Sequence, residues 1–74
     1  MPPEYLDVRV ALGGYQVIYV TPRAQRQVIV ETAADVAAMA ILFQLAVLSV
    51  DADVRLACRA AGVRLIERQE DMRR

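Results

Sequence analysis

The sequence predicts a small α+β domain whose mostly antiparallel sheet is packed on one face by two helices, in the order ββ(β)ααβ. Three features predict this class. Apolar residues alternate around a Gly-Gly pair, a long apolar segment without Gly or Pro follows a capping signature, and a short apolar run follows a helix-ending glycine. A chain of 74 residues is long enough for one domain, 1–74, and no more.

The first third of the chain predicts a β-hairpin. Apolar residues recur at every second position of the first strand, at Leu6, Val8, Val10 and Leu12. Gly13 and Gly14 tolerate the positive φ angles of a tight turn, and Tyr15 to Thr21 follows as the return strand. If the two glycines form the loop, the expected pairs on the apolar face are Leu12 with Tyr15, Val10 with Val17, and Val8 with Tyr19.

A third strand and a long helix are predicted next. Pro22 should end the second strand because it has no N–H to donate. Gln27 to Glu31 is a short β-branched run and favours a strand. Thr32 lies three residues before Asp35, which resembles a capping box. From Ala33 to Ser49 the residues are helix formers with neither Gly nor Pro, so we expect one helix there.

This predicted helix is apolar nearly all round, which is typical of a buried helix. At 100° per residue one stripe contains Val36, Met39, Phe43, Val47 and Val50. A second stripe on another side contains Ile41, Leu45 and Leu48. In so small a domain the sheet covers only one side of the helix. The second stripe is therefore expected to pack on a second helix or on another chain.

A second helix and a last strand complete the predicted domain. Asp51 resembles the cap of a helix from Ala52 to Ala61, and a favoured helix-ending glycine follows it. A single helix over residues 33–61 is the alternative, although a break before Asp51 is favoured. Val63 to Glu67 predicts the last strand, and the polar residues 69–74 are expected to fray.

The composition favours contact with another protein chain. Hydrophobic residues make up 57% of the sequence, whereas a chain this short buries only about 60% of the surface that it exposes when unfolded. Exposed apolar patches usually mark partner sites. We therefore expect a protein–protein interaction module that works as a homo-oligomer or as a small inhibitor or adaptor of a larger bacterial or phage complex. The expected interface consists of Ile41, Gln44, Leu45 and Leu48.

The residue types that are missing argue against an enzyme. The sequence contains neither His nor Lys, so it offers no imidazole base and no Schiff-base amine. Cys58 is the single cysteine, and alone it forms neither an internal disulfide nor a zinc site. No cofactor or metal is expected. All 9 basic residues are Arg, which fits either codon bias or selection for bidentate contacts.

A small nucleic-acid-binding regulator is the alternative function. Arg23 and Arg26 flank a predicted turn beside Arg9, an arrangement suited to phosphate or carboxylate. A solvated turn is the favoured explanation of the same residues. Tyr5 falls on the opposite hairpin face from the other tyrosines and is the one expected to be free for a ligand. The formal net charge of zero provides no general attraction to nucleic acid.

The sequence also predicts a cytoplasmic protein. No basic start followed by an apolar run is present at residues 1–4, so no secretory signal is visible. The longest apolar stretch, Val36 to Val50, is about fifteen residues long, whereas a bilayer span needs roughly twenty. We therefore expect no membrane span.

Overall fold

The computed structural model describes residues 4–20 and 25–66, except for the side chain of Val20. These residues form the following elements: β1 (Tyr5–Ala11), β2 (Gly14–Val20), β3 (Gln25–Val30), α1 (Ala33–Phe43), β4 (Ala46–Leu48), α2 (Ala52–Ala61) and β5 (Leu65–Ile66). The predicted α+β class, with two helices and a sheet, is confirmed. The predicted frayed tail at 69–74 and Arg23 lie outside the described residues. Arg26, which was expected to flank a turn, belongs instead to β3, because the pairing with β2 extends two residues before the predicted start at Gln27.

The sheet is mixed rather than mostly antiparallel. Its strand order is β3-β2-β1-β4-β5. The pairs β1–β2 and β2–β3 are antiparallel, whereas β1–β4 and β4–β5 are parallel. The difference from the prediction has one cause, the strand β4 between the two helices. Each helix therefore connects two parallel strands, as crossover helices commonly do.

The N-terminal hairpin forms as predicted, but its register is shifted by two residues. The pairs on the apolar face are Leu6 with Tyr19, Val8 with Val17, and Val10 with Tyr15. Leu12 and Gly13 form the loop, with Gly13 at φ 79. Gly14 already belongs to β2, where a Cβ atom would collide with the carbonyl oxygen of Val30. A shift of two keeps every side chain on its face, so the apolar pattern alone does not fix this register.

Helix α1 begins where predicted and ends before the predicted boundary at Ser49. The Thr32 hydroxyl accepts a hydrogen bond from the Asp35 N–H at 3.1 Å, and the Asp35 carboxylate accepts one from the Thr32 N–H at 3.2 Å. The helix ends at Phe43 because Gln44 adopts a left-handed conformation with φ 58 and ψ 46. The Leu45 N–H then donates to the Ala40 carbonyl at 3.0 Å, which closes the last turn.

Helix α2 has the predicted bounds, and the two helices are separate. The Asp51 carboxylate accepts a hydrogen bond from the Val54 N–H at 3.0 Å. Gly62 ends the helix in the left-handed region, with φ 75 and ψ 21. The helix therefore carries the start and stop signals that its sequence displays.

One apolar core joins the sheet to both helices. Its largest fully buried side chains come from three strands and both helices: Leu6, Val17, Val36, Val47, Val54 and Cys58. Both helices thus pack on the face of the sheet that carries Leu6 and Val17. The opposite face, called the open face below, carries the alternate residues such as Tyr5 and Ile18. No helix within the described ranges packs on the open face.

Candidate interaction surface

Large apolar side chains remain exposed outside the core. Three consecutive residues at the end of α1, Ile41, Leu42 and Phe43, are 55, 74 and 48% exposed. Val28 and Ile29 in β3 are 46 and 62% exposed. A few isolated apolar residues on a surface are ordinary, but neighbouring ones indicate a contact site. The described ranges contain these further exposed large apolar residues: Val10, Leu12, Val50 and Leu56.

The exposed residues of α1 point in two directions. The ring of Phe43 packs at a tilt of 58° on the ring of Tyr19 in β2, with 5.7 Å between their centroids. Ile41 instead lines a cavity shared with Gly62 and Val63, where α2 ends. One flank of α1 therefore faces β2, the strand next to β3, and the other flank faces α2.

The cavity unites three of the four residues predicted for the interface. It has a volume of about 390 Å³ and is lined by Ile41, Gln44 and Leu45 together with residues at the end of α2. Leu48 is separated from them because it lies in β4 opposite Asp7, which places it on the open face. The predicted helical stripe of Ile41, Leu45 and Leu48 is thus wrong, since α1 ends before the last two of these residues.

The arginines predicted to bind anions do not converge within the described residues. Arg9 pairs with Gln16 on the open face, and its guanidinium forms an ion pair with Asp7 at 3.3 Å. Arg26 pairs with Tyr19 and lies on the helix-covered side of the sheet. Tyr5 lies on the open face and is half-buried. The geometry therefore provides no shared site for Arg9 and Arg26.

The hydroxyl groups of two tyrosines are held by carboxylates. The Tyr15 hydroxyl donates to the Asp51 carboxylate at 3.2 Å, and the Tyr19 hydroxyl donates to the Glu4 carboxylate at 3.3 Å. Burial raises the pKa of Tyr15, and the hydrogen bond and negative charge of Asp51 raise it further. Burial likewise raises the pKa of Tyr19, with Glu4 adding to the shift. Tyr15 is thereby tied to the start of α2, and Tyr19 to the residue that precedes β1.

Two further groups with reactive chemistry, the thiol of Cys58 and the carboxylate of Asp51, have structural roles. Cys58 is fully buried in the core, and burial raises the pKa of its thiol, which keeps it in the unreactive neutral form. Asp51 caps α2. Among residues 4–20 and 25–66, no group of three or more His, Cys, Asp or Glu side chains is placed to hold a metal ion.

The edge strand β3 is a surface that sequence reasoning missed. Five of its six residues are exposed, and Val30 is half-buried. No described strand pairs with its outer side, because β3 stands first in the strand order. The sequence predicted a strand here but not its position at an edge, which depends on the order of all the strands. The one available signal was its composition, since Gln25–Val30 contains neither Pro nor Lys and a single charged residue, Arg26.

The backbone of β3 exposes alternate residues at this edge. The Val30 carbonyl oxygen points inward at Gly14 of β2. Backbone groups alternate in direction along a strand, so Arg26 and Val28 also direct theirs to β2. The N–H and C=O groups of the intervening residues therefore point away from β2. They belong to Gln25, Gln27 and Ile29 and lie at the outer side of β3, which no described strand pairs with and which is called the free edge below.

Comparisons with known proteins add no relative. A scan against models of protein families, a search of curated proteins and a search of solved structures each found no match to this chain. Neither helix of the described ranges has the length and apolar character required to cross a membrane.

Proposed function

We propose that this chain is a non-enzymatic protein–protein interaction module that works by association with a second copy of itself. The observation that carries the proposal is the exposed apolar run Ile41, Leu42 and Phe43 at the end of α1. The helix is packed on the sheet by its buried residues Val36, Ala37 and Ala40, and about half or more of each side chain in the run stays uncovered. A further role as a small inhibitor or adaptor in a larger bacterial or phage complex would use the same surface.

The magnitude of apolar burial supports association. Covering about 400 Å² of apolar surface contributes on the order of 10 kcal/mol at about 25 cal/mol per Å². Loss of translational and rotational freedom on association costs about 4–15 kcal/mol. At the lower end of that cost the surplus corresponds to a weak complex, and a larger interface would strengthen it.

The non-enzymatic part of the proposal is supported by the state of the reactive groups. The sequence has no His or Lys. Cys58 is buried with a raised pKa. The carboxylates of Asp35 and Asp51 are engaged as helix caps.

Sedimentation equilibrium tests the proposal. We expect the average mass to rise above that of one chain between about 1 µM and 500 µM. Adding salt to about 1 M should not weaken an association driven by apolar burial, whereas binding to phosphates would weaken steeply. A particle that keeps the mass of one chain at every concentration would contradict self-association.

Two leucine variants provide a matched pair for the same measurement. Leu42 in α1 and Leu56 in α2 are both exposed, at 74 and 66%. We expect Leu42→Asp to weaken the association on the order of tenfold, because it places a charge in the contact surface. Leu56→Asp should leave it unchanged. Equal effects of the two substitutions would show that the end of α1 is not the contact surface.

A further inference from the structure

The free edge of β3 lacks the usual protections against pairing with another strand. Edge strands are commonly short, bulged, interrupted by Pro or charged. β3 has six residues in regular pairing with β2, contains no Pro and carries a single charged residue, Arg26. Its outward backbone groups belong to Gln25, Gln27 and Ile29. A strand of this kind readily accepts hydrogen bonds from a further strand.

From this edge we infer that two copies of the chain pair antiparallel along β3, so that their sheets join into one continuous sheet. The inference rests on the proposed self-association and assigns it a surface. Two-fold symmetry makes each copy present the same edge to the other, and two identical edges related in this way run antiparallel. The hydrogen bonds are those of an ordinary antiparallel ladder.

The alternation of backbone groups fixes how the two copies face each other. Only Gln25, Gln27 and Ile29 direct backbone groups outward, and these residues have side chains on one face of the sheet. Hydrogen-bonded pairs between the two copies therefore join residues of the same face. Both helical layers consequently lie on the same side of the joined sheet, with the two α1 helices as neighbours across the two-fold axis.

This arrangement covers apolar side chains that one copy leaves exposed. Val28 lies on the helix-covered side of β3 and is 46% exposed. Phe43 lies on the flank of α1 that faces β2, and it is also close to half exposed. The same-side geometry places both residues on the side of the joined sheet where the two helical layers lie. The ladder and the apolar contact thus belong to a single interface.

The charges at the two ends of β3 favour a second copy over an arbitrary strand. Arg26 is near the start of β3, and Glu31 follows its last residue. Neither makes an ion pair within the described parts of the chain. Antiparallel pairing brings the Arg26 end of one strand beside the Glu31 end of the other, at both ends of the ladder. A parallel arrangement would place like charges together.

A proline substitution tests the backbone of this edge. Gln27→Pro removes an outward N–H, which an edge strand tolerates. We expect the variant to keep its far-ultraviolet circular dichroism spectrum at low concentration and to associate on the order of tenfold more weakly than the natural chain in sedimentation equilibrium. The matched control is Val28→Pro, which removes an inward N–H and should instead lower the free energy of unfolding.

Charge reversal provides a second test that leaves the backbone intact. Arg26→Glu and Glu31→Arg are both made at exposed positions, so the fold should persist. We expect each single reversal to weaken association about two- to fivefold, and the double variant to recover the original strength. Recovery requires that Arg26 of one copy and Glu31 of the other lie at the same end of the ladder.

The outcomes separate the inference from the proposed function. If the natural chain and the Gln27→Pro variant associate equally well, pairing along β3 is overturned and self-association is not. Additive weakening in the double charge variant would likewise overturn the antiparallel arrangement. A natural chain that remains single at every concentration would overturn both. In that case the edge of β3 would be left for a strand of a different protein.

Discussion

The two helices pack on the same face of the sheet but present different surfaces outward. In α2 the exposed side includes Asp53 and Arg59, as expected for a helix whose outer side meets solvent. In α1 the exposed residues after the first turn are Ala38 and the apolar run from Ile41 to Phe43. Within the described ranges α1 therefore exposes three large apolar residues in a row, whereas α2 exposes one, Leu56. The proposed self-association would cover this run of α1.

The ends of the two helices differ as well. Both stop at a residue in the left-handed region, Gly62 after α2 and Gln44 after α1. Glycine adopts this conformation without strain, whereas a residue with a Cβ atom does so at a cost. One helix end is therefore visible in the sequence, and the other is imposed by the pairing of β4 with β1.

The largest expected effects come from the inner sides of the helices. Val36 in α1 and Val54 in α2 are both completely buried. Substitution of either by Ala should lower the free energy of unfolding by about 2 kcal/mol, through lost burial and a residual cavity. Leu42→Ala and Leu56→Ala should each change the free energy of unfolding by less than about 0.5 kcal/mol, as measured by urea titration at low protein concentration. A cost at Leu42 equal to that at Val36 would place Leu42 in the core and remove the contrast between the helices.

Substitutions at the residues that end the two helices should change the free energy of unfolding by intermediate amounts, with opposite signs. At Gly62 an added Cβ meets no atom within 4 Å. Gly62→Ala should therefore lower the free energy of unfolding by about 1 kcal/mol, through backbone strain alone. Gln44→Gly should raise the free energy of unfolding by roughly 0.5 kcal/mol because it relieves the same backbone strain. Thermal and urea unfolding of both variants measures the difference. A loss on Gln44→Gly would mean that the Gln44 side chain stabilises the turn by contacts of its own.

The smallest expected effect is a dependence of stability on alkaline pH. Burial and Asp51 raise the folded-state pKa of Tyr15 above its ordinary value of 10.0. The folded state thus favours the neutral phenol, and the resulting stability is present below pH 10 and is lost as the pH rises through the raised pKa. Urea titrations above pH 9 should show a shallower decline for Tyr15→Phe than for the natural chain. Identical slopes would show that the Tyr15 contact does not contribute.

The sequence predicted the parts of the fold that local signals specify. The hairpin, the capping box at Thr32 and both ends of α2 have such signals, and all of them form. The strand Ala46–Leu48 has none, since Gly and Pro are absent around it and its residues suit a helix equally well. Its pairing with β1 is a long-range interaction that outweighs this local preference.

The candidate surface was predictable to a smaller extent. Ile41, Gln44 and Leu45 do come together, although they line a cavity at a helix end rather than a stripe along a helix. Leu48 was assigned to the wrong face because the end of α1 was missed. The edge position of β3 was not predictable, because it depends on the order in which all the strands pair.

Amide hydrogen exchange at increasing protein concentration tests self-association along β3 most directly. The amides of Gln25, Gln27 and Ile29 should exchange fast in dilute solution and become protected as the complex forms. Those of Arg26 and Val28, which already face β2, should be protected throughout. Fast exchange at Gln27 and Ile29 in a solution where the mass has doubled would contradict the account.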